Sequence, residues 1–203
     1  NDNVAMGKLA IGLGVLTGAN NIAIGEGSGF DLTAGGYNIF LGLRSGANIT
    51  TANKNIFIGQ DTGLAVTATN SGGSDGTVGI GHDALKSLTS GAGNIAIGLQ
   101  SLDALTEAAD NLAIGFGALT TSSNVNAARN IAIGNYALEL LNSDGRDNIA
   151  IGYEALETAN HADIDGNIAI GNYVLDAVGS AGVWACVGIG YNALTEVNNA
   201  GAV

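Results

Sequence analysis

Nucleophilic or acid–base chemistry needs a reactive side chain beside a base, and few residues of this chain qualify. The histidines are His82, in the turn Gly81-His82-Asp83-Ala84-Leu85, and His161, in a polar connection. Neither lies in a nucleophile motif. The single cysteine, Cys186, holds a position that recurs along the chain as asparagine, and one cysteine builds no intrachain disulfide framework. Glu154 and Glu157 form a carboxylate pair of the general kind glycosidases use, but carboxylates on repeated turns ordinarily make a solvated face. No catalytic residue and no cofactor is assigned, and the chain is expected not to be an enzyme.

Metal chemistry has slightly more material. Asp163, Asp165 and Asn167 alternate as oxygen ligands do in the first half of a calcium loop. The twelfth position of such a loop is Val174, so its bidentate Glu is missing, and Gly166 stands fourth instead of sixth. The run Asn142-Ser143-Asp144-Gly145-Arg146-Asp147 is another oxygen-rich turn. Ordinary turn chemistry accounts for both; calcium is the ion for which they offer ligands. Recognition has a different candidate. Phe116, Tyr136, Tyr153, Tyr173 and Tyr191 each lie one or two residues after a recurring glycine. Aromatic faces near carboxylates and amides can hold sugars, so Tyr136, Tyr153, Tyr173 and Tyr191 form a candidate glycan strip if exposed.

These residues are positioned by a repeat. The pentapeptide reads KLAIG (8–12), NIAIG (21–25), NIFLG (38–42), NIFIG (55–59), TVGIG (77–81), NIAIG (94–98), NLAIG (111–115), NIAIG (130–134), NIAIG (148–152), NIAIG (167–171) and CVGIG (186–190). Its glycines are Gly12, Gly25, Gly42, Gly59, Gly81, Gly98, Gly115, Gly134, Gly152, Gly171 and Gly190, spaced by 13 residues at first, 22 between Gly59 and Gly81, and otherwise 17 to 19. Counting back from the glycine, positions −3 and −1 are aliphatic and −2 is usually small. That alternation is a short strand with −3 and −1 on one face, and −2 with the leading residue on the other. The third residue after each glycine is Ala, Ser, Thr or Val, and the fourth is Leu or Gly. One coil per repeat, stacked by parallel pairing, accounts for the pattern. The expected fold is an all-β parallel β-solenoid, or β-roll, of about eleven coils, with residues 1–203 a single repeat array and a fragment of a longer protein.

Two columns carry further expectations. Asn21, Asn38, Asn55, Asn94, Asn111, Asn130, Asn148 and Asn167 open eight of the pentapeptides, and stacked amides can hydrogen-bond along a solenoid as a structural ladder. Lys8, Thr77 and Cys186 interrupt that column. Position −2 is large only at Phe40 and Phe57, where the usual Leu four residues after the glycine is replaced by Gly46 and Gly63. The exchange implies that the two positions share one packed volume. If −2 faces away from its own coil, that volume lies between chains; the alternative is a volume inside one chain. Ala23 with Gly29 breaks the rule, leaving a gap or admitting a neighbour's side chain.

The NIAIG-x-x-A-L block resembles the repeats of trimeric autotransporter adhesin heads and of phage tail fibre shafts. NIAIGYEAL (148–156) looks very like the NTAxGYxAL units of the latter, and the 17-to-19-residue spacing is closer to the fibre repeats. The resemblance implies a homotrimer packed about a common axis, an extracellular place on a virion or bacterial surface, and a host-surface glycan or protein receptor. It carries no catalytic residue to transfer. The implied role is a structural and recognition segment of a trimeric fibre, most simply a phage tail fibre or virion appendage, with an adhesin head as the alternative.

Composition bounds the rest. The 203 residues include 33 Gly and no Pro, 46% are hydrophobic and only 5% aromatic, so the core must be aliphatic and small. The net charge of −12 leaves no basic stripe for phosphates or anionic lipid. No nucleic acid and no membrane insertion is expected. All of that charge falls after residue 60, and the stretch from Thr67 to Gly76 reads as a projecting loop.

Overall fold

The computed structural model describes residues 2–12, 16–66, 74–107, 109–120, 127–141, 145–158, 164–178 and 184–197. It is an all-β parallel β-solenoid, with no helix among the described residues. Eleven three-residue strands stack in one sheet: β1 (Val4–Met6), β2 (Ile22–Ile24), β3 (Ile39–Leu41), β4 (Ile56–Ile58), β5 (Val78–Ile80), β6 (Ile95–Ile97), β7 (Leu112–Ile114), β8 (Ile131–Ile133), β9 (Ile149–Ile151), β10 (Ile168–Ile170) and β12 (Val187–Ile189). Each pairs in parallel with its predecessor and successor in strict register, so Ile22 faces Ile39 and Ile131 faces Ile149. Even across the 22-residue interval, Ile56 stays opposite Val78. A second small sheet pairs β11 (Ala177–Val178) with β13 (Glu196–Val197) on another wall of the same coils. At roughly 4.8 Å per strand the stack is about 50 Å long.

The first strand corrects the reading of the N-terminal repeat. The strand is not in KLAIG: the pairing set is Val4-Ala5-Met6, and Gly7, not Gly12, stands opposite Gly25. Leu9, Ala10 and Ile11 belong to the turn that follows. Asn3 therefore opens the column, and Lys8 is outside it.

The glycine after each strand is fixed by contact as well as by conformation. At Gly98, φ is +140°, and a Cβ there would lie 2.2 Å from the carbonyl oxygen of Gly115 in the next coil. Backbones stacked this closely leave no room for any side chain.

The strand faces are assigned opposite to the trimer-axis expectation. Position −2 points inward: Ala23, Phe40, Phe57, Ala96, Ala113, Ala132, Ala150 and Ala169 are completely buried within one chain. Four residues after the glycine, Leu85, Leu102, Leu119, Leu138 and Leu156 fill the same core, joined by Leu32, Ile49, Val66, Leu88, Leu105 and Leu141 from the next wall. A Cβ on Gly46 would lie 2.6 Å from the Phe40 ring, and one on Gly63 equally near that of Phe57. The shared volume is real, and it lies inside the single chain. Gly29 takes a neighbour's side chain, because a Cβ there would be 2.8 Å from Phe40 of the following coil.

Positions −3 and −1 point outward. Ile22, Ile24, Ile95 and Ile170 are 37–38% exposed, and the remaining members of both columns are partly or fully exposed.

Candidate functional site

The asparagines lie opposite the outward isoleucines, inside the coil. Asn130 is fully buried, and its Oδ1 accepts the backbone N–H of Asn148 at 3.1 Å and that residue's Nδ2 at 3.0 Å. Its own Nδ2 donates to Asn111 Oδ1 at 3.1 Å and to the carbonyl of Gly145 at 2.9 Å. Every polar atom of that amide has a partner, which is what allows it to be buried. The same bonds link Asn3, Asn21 and Asn38, and Asn148 with Asn167. At the far end, Asn167 Oδ1 accepts the N–H of half-buried Cys186. The column breaks at Thr77. Asn55 Nδ2, Ser74 Oγ and Thr77 Oγ1 are buried there without a hydrogen-bond partner.

The late aromatics form one continuous column along five coils. Phe116, Tyr136, Tyr153, Tyr173 and Tyr191 meet edge to face, with successive ring centroids 5.0, 6.2, 5.4 and 5.8 Å apart. Rings one residue after the glycine alternate with rings two residues after it. Asn135 and Asn172, which precede the latter, accept the N–H of Phe116 and Tyr153. Tyr153 and Tyr191 are exposed, Tyr191 to 72%, whereas Tyr136 and Tyr173 are half-buried. A hydrogen bond to Glu154, aided by burial and by the charge of that carboxylate, pushes the Tyr153 hydroxyl up to about 12.

Glu154, bonded to Tyr153, is one of an interacting set of carboxylates with Glu139, Glu157 and Asp176. Burial raises Glu157 above the ordinary carboxylate value, with the charges of Glu154, Glu139 and Asp176 adding; burial and then Glu154 raise Glu139. On another edge, Arg129 grips Asp147 at 2.7 and 2.9 Å, and that hydrogen bond lowers Asp147 and raises Arg129.

Of the calcium candidates, Asp163 lies outside the described residues, as do His161 and residues 142–144. Asp165 Oδ1 accepts the N–H of Arg146 at 2.7 Å. Asn167 is inside the amide column, its Oδ1 and Nδ2 bonded to Cys186 and Asn148. A side chain committed to the interior in this way does not converge with Asp165 on an ion.

A different constellation does converge. Asp61, His82 and Asp83 each place a ligand atom within 4.8 Å of the other two. Asp61 and Asp83 occupy the same turn position in successive coils, both with φ near +57°, and both are more than nine-tenths buried. Their N–H groups donate to the carbonyls of Leu43 and Gln60, which fixes the turns one above the other. Arg44 Nη2 and Gln60 Nε2 bond Asp61 Oδ2 at 2.8 and 3.2 Å; Arg44 Nε is 2.7 Å from Oδ1 without the alignment of a hydrogen bond. Lys86 Nζ and His82 Nδ1 stand 3.2 and 3.4 Å from Asp83 Oδ2. Oδ1 of each aspartate is buried with no hydrogen-bond partner. Burial raises Asp103, one coil on, with the charge of Asp83 adding and that of Lys86 opposing.

Among the described residues no helix is long and apolar enough to cross a membrane. Comparison of the chain with protein-family models, with curated proteins and with solved structures finds no match.

Proposed function

We propose that this chain is a structural and recognition segment of a trimeric extracellular fibre, most simply a phage tail fibre or similar virion appendage. The observation that carries the reading is the outward face of the main sheet. Across β1–β10 and β12 every −3 and −1 residue is Val, Ile, Leu or Met, with no charged residue among them. That face is about 50 Å long and on the order of 500 Å² in area, as large as the biggest apolar patch of an ordinary monomer. A chain with 18 acidic residues keeps all of them off this stripe. Three such stripes facing a common axis would bury one another, and the likeness of the NIAIG-x-x-A-L block to trimeric fibre repeats favours three.

On this reading the function is mechanical. The strand stack is a stiff rod that projects a receptor-binding element, and the acidic outer walls keep neighbouring fibres apart. The exposed aromatic column at Tyr153 and Tyr191 is the segment's own surface for glycans. No step of this role calls for catalysis or a cofactor.

Light scattering coupled to size exclusion tests the assembly. A mass of three chains that persists on dilution is expected, and Ile133→Lys with Ile151→Lys should reduce it to one. A stable monomeric parent chain would overturn the proposal.

A further inference from the structure

We infer that Asp61, His82 and Asp83 form a binding site for a divalent transition-metal ion, with zinc as the best-matched probe. A buried carboxylate oxygen without an aligned hydrogen-bond donor is unfavourable. Asp83 Oδ1 is one, and Asp61 Oδ1, 2.7 Å from Arg44 Nε, is another; both side chains cluster with His82. Arg44 pairs with both oxygens of Asp61, Gln60 donates to its Oδ2, and Lys86 pairs with Oδ2 of Asp83, which holds each carboxylate in place. This is the work outer-shell partners do at metal centres.

The donor set selects the ion. Imidazole with two carboxylates suits zinc and its transition-metal neighbours, whereas calcium and magnesium take oxygen ligands alone. Ligands around zinc at about 2.0–2.2 Å lie roughly 3.5 Å apart, and the three ligand atoms here are already within 4.8 Å of one another. Three protein ligands leave a fourth position for water. The two aspartates balance Arg44 and Lys86 in charge, and the ion's own charge is set against a chain of net charge −12.

The location gives the site a purpose. One ligand comes from the coil of Gly59 and two from the coil of Gly81, the pair separated by 22 residues. The amide column is broken between the same two coils, at Thr77. An ion there clamps the stack at its least satisfied junction. All three ligands belong to one chain, so the site is independent of the oligomeric state.

Calorimetric titration of the metal-free chain with zinc chloride should give one saturable site per chain and a zinc-dependent rise in Tm. His82→Gln should weaken binding by more than the roughly 10–100-fold that losing an outer-shell partner costs. Because the His82 side chain is 48% exposed, this variant should keep the metal-free Tm. Asp83→Asn should also lose binding, and His161→Gln should keep it. Absence of saturable binding in the folded parent chain, retention in His82→Gln, or loss in His161→Gln alone would overturn the assignment.

Discussion

The ring of Phe40 occupies the space in which residue 46 would carry a side chain, and its opposite edge closes the space beside Gly29. Three positions in two coils thus share one aromatic ring. In coils with alanine at the strand centre, other than those of Ala5 and Ala23, the same backbone turn carries leucine: φ is +59° at Gly46 and +52° at Leu102. The glycine is therefore required by the ring, not by the turn.

It follows that Phe40→Ala alone should cost about 3–5 kcal/mol, and Gly46→Leu alone should be destabilising through overpacking. Together they should recover about 1–3 kcal/mol relative to the sum. Denaturant melts of the three variants measure this coupling. Simple additivity would mean that the two positions do not compete for one space.

The stacked glycines should be intolerant where the backbones touch and permissive elsewhere. Gly98→Ala should cost about 3 kcal/mol or more, since it meets a carbonyl and a strained φ together. Gly166 also has a positive φ, but nothing lies within 4 Å of a Cβ there. Arg129 and Asp147 hold the equivalent position in other coils. Gly166→Asn should therefore stay within about 0.5 kcal/mol of the parent. Thermal melts of the two variants side by side decide the matter.

For the amide column, Asn130→Ala removes the acceptor of two Asn148 donors and leaves the Gly145 carbonyl without its Nδ2 donor. A loss of about 3 kcal/mol is expected. The reverse change at the break, Thr77→Asn, supplies an amide where three buried polar atoms lack partners. It should add about 1 kcal/mol, or roughly 2–4 °C in Tm. No gain in Tm would mean that the column does not continue through that coil.

The carboxylates around Glu154 should make the fold less stable as pH rises. Folded Glu139 and Glu157 sit above their ordinary 4.5, so between that value and their folded ones the native chain holds protons that the unfolded chain has released. Stability is then highest below about 4.5 from this source and declines as pH climbs through the folded values. Glu157→Gln should raise Tm near neutral pH and give no gain in acid. Both groups are half-buried and still in contact with solvent, so screening limits the effect to a few tenths of a kcal/mol. An equal gain at all pH values would exclude ionisation as its cause.

Much of the architecture was legible in the sequence, because a glycine at nearly constant spacing behind a two-residue alternation allows few folds besides a stack of short parallel strands. The inside and outside of those strands were not. Alternation separates Ile22 and Ile24 from Ala23, but it does not say which set faces in. The coil is narrow, so alanine beside leucine fills it, and the larger isoleucines fall outside. The ladder of Asn21 and its successors was legible as a column of stacked amides, but not its depth: Asn21 is interior because its amide is bonded along the axis. The first repeat misled because Lys8–Gly12 copies the strand motif within the turn that follows the true one, Asn3–Gly7. Asp61, His82 and Asp83 escaped notice because each alone reads as turn chemistry. The available signal was aspartate two residues after the glycine in consecutive coils.

The unbroken register from Ile56 to Val78, across an interval longer than its neighbours, bears on how such a chain can change. Extra residues were taken up in the connecting segment, and neither the strands nor the glycine contacts shifted. Length along the axis is therefore counted in whole turns, each a graduation of about 4.8 Å. Duplicating or excising one complete repeat lengthens or shortens the rod by one graduation and leaves every wall in phase. The molecule is a ruler whose length changes one fixed step at a time.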